Sequence, residues 1–197
     1  MENKRKKLNT KILNWRDKKA LISAKKVILD GGLLVYPTDT IYGFGVNAKN
    51  REAVDNLNSI KNREGPISVI IESKEKASNW VDLPGHEIKV ALQYIKAKTT
   101  IIFPVKRNIV DNKILGPHNT LGMRFSNHPF CISLANYCNV PITTTSVNRT
   151  GEKPKINVDE ILNSFNTEID LIIEDGALVN HASKIYKYDK GDLKSIR

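Results

Sequence analysis

Four short stretches gather hydroxyls, amides and cations where packing alone does not require them. The first is "PTDT", Pro37 to Thr40, followed by Ile41-Tyr42 and a Gly-x-Gly at 43–45 that reads as a strained turn. A turn needs only one glycine or one Asx residue. Two threonines and a carboxylate at the end of a strand point instead to a held ligand. The second stretch is "IKNREG", with Lys61 and Arg63; the third is Arg124 in "GMRFSNH"; the fourth is "TTTSVNRTG", Thr143 through Asn148. Arginine grips carboxylate or phosphate with two parallel donors, and lysine acts as a point charge. Ser, Thr and Asn add neutral donors. Together they suit a ligand with several anionic groups. Each stretch alone has a plainer reading. Lys61 and Arg63 fit a solvated helix end, and Thr143 to Ser146 fit a β-forming run with an ST-turn. No GxxxxGK[ST] and no GxGxxG occurs, so a nucleotide site here is not of a standard loop type.

The elements that must carry these stretches follow from periodicity. "ALISAKKVILDGG" reads as a helix closed by Gly31-Gly32, and "LLVYP" as a buried strand. Ala53, Val54, Leu57 and Ile60 recur at helical spacing, with Asn50 as N-cap. "PISVIIES" is a strand, "HEIKVALQYIKAK" a helix, "TTIIFPV" and "TLGMRFS" strands, and "HPFCISLANYCN" a helix. "VPITTTS" is a strand, "NVDEILNSFN" a helix, "DLIIEDG" a strand, and "SKIYKYD" with "DLKSIR" a closing hairpin. Alternating strands and helices predict an α/β fold on a mixed sheet.

The chain has 197 residues, 40% of them apolar, enough for one domain with a sizeable core. No apolar run approaches the ~20 residues of a membrane span. The amino terminus lacks the apolar stretch of a secretory signal. A cytoplasmic protein is expected. Cys131 and Cys138 share a helical face and read as buried packing residues, and the four histidines show no metal-binding spacing. The net charge is +10, and residues 1–30 hold ten Lys/Arg against three Asp/Glu. A basic flexible arm over residues 1–10 is expected, followed by one domain over 11–197. The arm suits a solvated face of a lysine-rich protein, or contact with nucleic acid or another polyanion. Trp15 fits a stacking platform for a base or an anchor for the first helix.

In their order, "YPTDTIYGFG", "IKNR", "GMRFSNH", "TTTSVNRTG" and "SKIYKYD…SIR" resemble the threonylcarbamoyl-adenylate synthase family, whose domain is called YrdC-like. The likeness runs from about Gly31 to Arg197. It implies a twisted mixed sheet flanked by helices around a basic concave site. It also implies synthesis of L-threonylcarbamoyladenylate from L-threonine, bicarbonate or CO2, and ATP with Mg2+, releasing pyrophosphate. The product would pass to a transferase machinery that modifies adenosine 37 of tRNA. By the resemblance, Thr38, Arg124, Thr144 and Ser183 are threonine-binding residues. Lys61, Arg63, Thr100, Ser146, Asn148 and Arg197 are ATP-binding residues.

The chemistry agrees with those residue types. Both reactants are anionic, so cations are needed to bring them together. No nucleophilic side chain is needed, and no Cys or Ser nucleophile motif is present. The chain departs from the family pattern at "KAKTT" before Thr100, at Gly65 before Pro66, at Ser126, at Ser183-Lys184, and in having no glycine after Arg197. Lys96 and Lys98 are new cations there, either making up lost charge or ending a solvated helix. Two rival readings remain open on the sequence: a non-catalytic tRNA- or RNA-binding protein of this fold, and a carbamoyl-adenylate-forming enzyme with another acceptor.

Overall fold

The computed structural model describes residues 10–197, so residues 1–9 of the expected arm lie outside the described residues. Thr10 is already tied down: its Oγ1 lies 2.6 Å from the carbonyl of Asn166 and 2.9 Å from that of Ile169. The chain then forms β1 (Lys11–Asn14), α1 (Ala20–Leu29), β2 (Leu34–Tyr36), β3 (Gly43–Gly45), α2 (Arg51–Lys61) and β4 (Ser68–Ile71). It continues through α3 (Lys74–Trp80), α4 (Gly85–Gln93), β5 (Thr99–Pro104), β6 (Thr120–Phe125) and α5 (Pro129–Cys138). It closes with β7 (Ile142–Ser146), α6 (Val158–Phe165), β8 (Leu171–Glu174), β9 (Lys184–Asp189) and β10 (Asp192–Ser195). The ten strands form one mixed sheet in the order β1-β8-β2-β3-β7-β4-β6-β5-β9-β10.

The all-apolar strands have a simple cause. Both faces of the sheet are covered, so both sets of alternating side chains must be apolar. Leu34 and Tyr36 point to one core and Val35 to the other; Ile70 opposes Val69 and Ile71; Leu171 and Ile173 oppose Ile172. On one face, α1 and α5 bury Ala20, Ala24, Ile28, Phe130, Leu134 and Cys138. On the other, α2, α3, α4 and α6 supply Val54, Leu57, Trp80, Ala91, Ile161 and Phe165. Asn50 caps α2 as expected, its side chain accepting from the Ala53 amide. Both cysteines are free and buried, as the helical spacing predicts. No helix among the described residues is long and apolar enough to cross a membrane.

Two expectations need correction, and one open alternative closes. The Gly-x-Gly at 43–45 is not a strained turn but a strand, β3, antiparallel to β2. Glycine serves there for close approach: a Cβ on Gly45 would sit 2.7 Å from the ring of Tyr36. Trp15 is an anchor and not a free platform. Its Nε1 donates to Asp175 Oδ1 at 2.6 Å, and its ring meets His128 edge-on at 5.2 Å. The helix expected up to Lys98 ends at Gln93, because the chain turns there and Lys98 takes a left-handed conformation, φ 60°.

Candidate functional site

Strand register places the site. Ser68 pairs with Thr144, Ile70 with Arg124, Arg124 with Thr100, and Thr100 with Ile185. Directly paired residues share a face, as do Ser68 and Ile70 two apart on β4, so Thr144, Ser68, Arg124, Thr100 and Ile185 form one row that steps along β4 and crosses five strands. This is the same face that α1 and α5 cover at Ile70 and Ile142. Beyond those helices the row floors a cavity of about 340 Å3. Gly122 keeps that floor low, since a Cβ there would lie 2.4 Å from Ser68 Oγ.

All ten candidate residues line this one cavity: Thr38, Lys61, Arg63, Thr100, Arg124, Thr144, Ser146, Asn148, Ser183 and Arg197. Sequence reasoning assigned no ligand to Tyr42, Gly43, Ser68, Thr145, Thr150 or Ile185, which also line it. Tyr42 and Gly43 stand within the quoted "PTDTIYGFG". Ser68 and Ile185 carry no local signal, because only strand register brings them in. An adjoining hollow of about 520 Å3 shares Ile41, Ala182, Ser183 and Arg197; Pro154 and Ile156 give it an apolar surface, rimmed by Lys153, Asn180, His181 and Lys184.

At one end, the turn after β2 meets Arg124 of β6. Thr38 Oγ1 accepts from the amides of Thr40 and Ile41 at 3.1 and 3.2 Å and donates to the Ile41 carbonyl at 2.6 Å. Arg124 Nη2 donates to Asp39 Oδ1 at 2.5 Å, Thr40 Oγ1 at 2.9 Å and Thr38 Oγ1 at 3.1 Å. Its Nε is buried without a partner among the described residues. Nearby, the hydroxyls of Thr100 and Ser183 lie 2.9 Å apart.

At the other end, α2 and the loop after β7 clasp each other. A helix ends with unpaired carbonyls. Here Arg149 Nη1 donates to the Ile60 carbonyl at 2.7 Å, and Thr150 Oγ1 to that of Lys61 at 2.8 Å. In return Lys61 Nζ donates to the carbonyls of Ser146 and Asn148 at 2.6 and 2.8 Å and to Asn148 Oδ1 at 3.2 Å. An ammonium has three donors, so all three are used. Burial, and secondarily the charge of Arg63, push the Lys61 pKa down to about 8. Asn62 ends the helix in a left-handed cap, which separates inward Lys61 from exposed Arg63. Arg63 Nη2 donates to the Pro66 carbonyl at 3.0 Å, and Arg197 Nη2 to that of Ser183 at 3.2 Å. Lys98 enters by its backbone and not its charge: its amide donates to Asp39 Oδ2 at 3.0 Å.

No cysteine is available as a nucleophile here. Cys131 donates to the Pro37 carbonyl, and burial pushes its thiol up to about 12. No group of three or more His, Cys, Asp or Glu able to hold a metal occurs among the described residues. The donors around the cavity are hydroxyls, amides and cations, a set suited to anionic oxygens.

A protein-family model of the Sua5/YciO/YrdC group, described as Telomere recombination, matches residues 26–197. A Methanocaldococcus jannaschii protein named putative threonylcarbamoyl-AMP synthase is 31% identical over 91% of this chain and 86% of its own. A Marinobacter nauticus threonylcarbamoyl-AMP synthase is 30% identical over 80% of this chain and 84% of its own. The crystal structure of P. abyssi Sua5 complexed with L-threonine superposes with a TM-score of 0.81 at 24% identity. That match covers 91% of this chain but only 54% of the P. abyssi chain.

Proposed function

The chain belongs to the Sua5/YciO/YrdC family, and we propose that it is an L-threonylcarbamoyladenylate synthase. The observation that carries this reading is the single cavity shared by a guanidinium set among threonines and a second group of cations. Curated relatives named threonylcarbamoyl-AMP synthase favour catalysis over RNA binding alone.

In this reading L-threonine lies at the Arg124 end, its carboxylate on Arg124 and its polar groups among Thr38, Thr144 and Ser183. ATP lies at the Lys61 end with Ser146 and Asn148, its phosphates face Arg63, and it reaches Thr100 and Arg197, which adjoin Ser183, where the two half-sites meet. The adjoining apolar hollow suits the base. Lys61 has no free donor, so it offers its charge and the fixed position of Ser146 and Asn148. Mg2+ enters with ATP as substrate. The residues present suit an ion held mainly by the triphosphate, since Mg2+ keeps several waters and needs few protein ligands.

The threonine amine loses a proton and adds to the carbon of CO2, giving a carbamate. A carbamate oxygen then attacks the α-phosphorus, and the bond to pyrophosphate breaks. Both partners are anionic, so fixed cations lower the repulsion and stabilise the leaving pyrophosphate. Holding the two in line supplies several kcal/mol, up to ~7–11 in ideal cases. The product is then used by a transferase acting on adenosine 37 of tRNA in the cytoplasm. Incubation with ATP, Mg2+, bicarbonate and labelled L-threonine should yield the adenylate by mass analysis. Pyrophosphate release that ignores threonine would refute the assignment.

A further inference from the structure

Asp39 has no part in the scheme above, yet it is among the most constrained charges in the molecule. Its side chain is 4% exposed. Oδ1 accepts from Arg124 Nη2 at 2.5 Å, and Oδ2 accepts from the Lys98 amide at 3.0 Å. Its own amide donates to Ser126 Oγ at 3.2 Å. The carboxylate is therefore held from β6 and from the segment before β5, and the backbone of Asp39 is tied to Ser126 just after β6. The turn itself does not need it, because Thr38 Oγ1 already closes that turn through the amides of Thr40 and Ile41.

The effect of Asp39 falls on Arg124. A guanidinium presents two double-donor edges, Nε with Nη2 and Nη1 with Nη2. Both edges use Nη2, and Nη2 is crowded by the oxygens of Asp39, Thr40 and Thr38. Neither edge is left whole for a second carboxylate. The Nε–H remains, buried and unpaired among the described residues. Burying an unpaired donor is unfavourable, so this atom is where an incoming acceptor gains most.

We propose that Asp39 is the positioning residue of the amino-acid half-site: it neutralises Arg124 and turns it so that Nε is the donor offered to the substrate carboxylate. The half-site then carries almost no net charge. It accepts a ligand with one carboxylate and an ammonium and discriminates against a second negative charge. The proposal rests on the synthase reading for the identity of that ligand, L-threonine.

The test measures L-threonine binding by calorimetry, which does not require turnover. Asp39→Asn should weaken L-threonine binding about tenfold while ATP affinity moves less than twofold. The unneutralised Arg124 of that variant should also bind inorganic phosphate in competition with threonine, which a merely structural defect would not produce. In an Arg124→Gln background, Asp39→Asn should add nothing to the loss. Thr40→Val, close in shape, removes one Nη2 acceptor and should weaken threonine about threefold; it serves if Asp39→Asn fails to fold. Unchanged threonine affinity in the folded variants, or fully additive losses in the double variant, overturns the proposal. A wild-type protein that binds threonine but makes no adenylate instead removes the synthase reading and leaves the Asp39 test intact.

Discussion

At the Arg124 end of the cavity the guanidinium is buried against a carboxylate and two hydroxyls. At the Arg63 end Arg63 is exposed and held by one backbone carbonyl, as is Arg197 beside Ser183. The first end is neutral and stiff, so it can select by hydrogen-bond geometry. The second keeps its positive charge facing solvent, so it can select by charge. Lys61 crosses the division: it is a cation of the open end held in the manner of the closed one. The contrast fits a site that must admit a small zwitterion and a polyanion side by side.

The largest expected effect breaks the contrast at Lys61. Lys61→Ala removes the one donor that ties three acceptors of the loop to α2 and leaves the Asn148 carbonyl without a partner, so the loop carrying Ser146 and Asn148 should loosen. Urea unfolding should show a loss of about 3 kcal/mol, and adenylate formation should fall at least about 100-fold. A variant as stable as the wild type would mean that the loop holds itself.

Arg63→Ala should separate charge from structure. Losing one charge-assisted phosphate contact of ~1.5–3 kcal/mol corresponds to a roughly 10- to 100-fold lower turnover. Stability should stay within about 0.5 kcal/mol, as for other surface changes. Arg63→Lys should rescue only part, since a point charge lacks the two-pronged grip. A stability loss matching that of Lys61→Ala would erase the distinction between the two residues.

A milder effect is expected from pH. The folded pKa of Lys61 is lowered from 10.5 to about 8, so the folded state releases this proton before the unfolded state does. The group's contribution therefore makes stability rise with pH between those two values. Activity should move the other way, declining as pH passes about 8 and the ammonium loses a proton. An activity profile flat to pH 9.5, well above that value, would show that the charge of Lys61 is not used.

The smallest effect is salt. Raising ionic strength from about 0.05 to 0.3 M shortens the screening length from more than ~10 Å to about 6 Å. The Michaelis constant for ATP should rise two- to threefold over that range, while that for threonine should hold. Equal drift in both would place open charge at both ends.

Much of this was legible in the chain because strand ends carry local signatures. Val54, Leu57 and Ile60 announce α2, and "PTDT" and "TTTSVN" announce the polar ends of β2 and β7. What was not legible is either short or distant. β1 is four residues with only Ile12 and Leu13 apolar, so alternation has no room to appear. α3 shows only Ala77 and Trp80 as buried residues, too few for a helical stripe. Asp39 meets Arg124 across 85 positions. Its constraint belongs to tertiary packing, and nothing in "PTDT" distinguishes an ion-paired carboxylate from a solvated one. The same holds for Tyr42, whose hydroxyl donates to the Gly176 carbonyl and accepts from the Asp175 amide, both at 2.8 Å. Asp175 is in turn braced by Trp15, so residues ahead of the family match at 26 help to hold the cavity wall.

β7 lies between β3 and β4, antiparallel to both, and joins the two halves of the sheet as a seam. This seam fixes when the cavity can come into being. Lys61 must wait for Ser146, 85 residues later. At ~5–20 residues per second a ribosome needs roughly 4–17 s to make that span. During that interval β3 and β4 have emerged with facing edges unpaired, the kind of edge on which chains aggregate. Folding dominated by such distant pairings is also intrinsically slow. The nascent chain thus passes through a window of exposure that closes only when β7 and the loop after it arrive, so the clasp on Lys61 and the covering of both sheet edges come together.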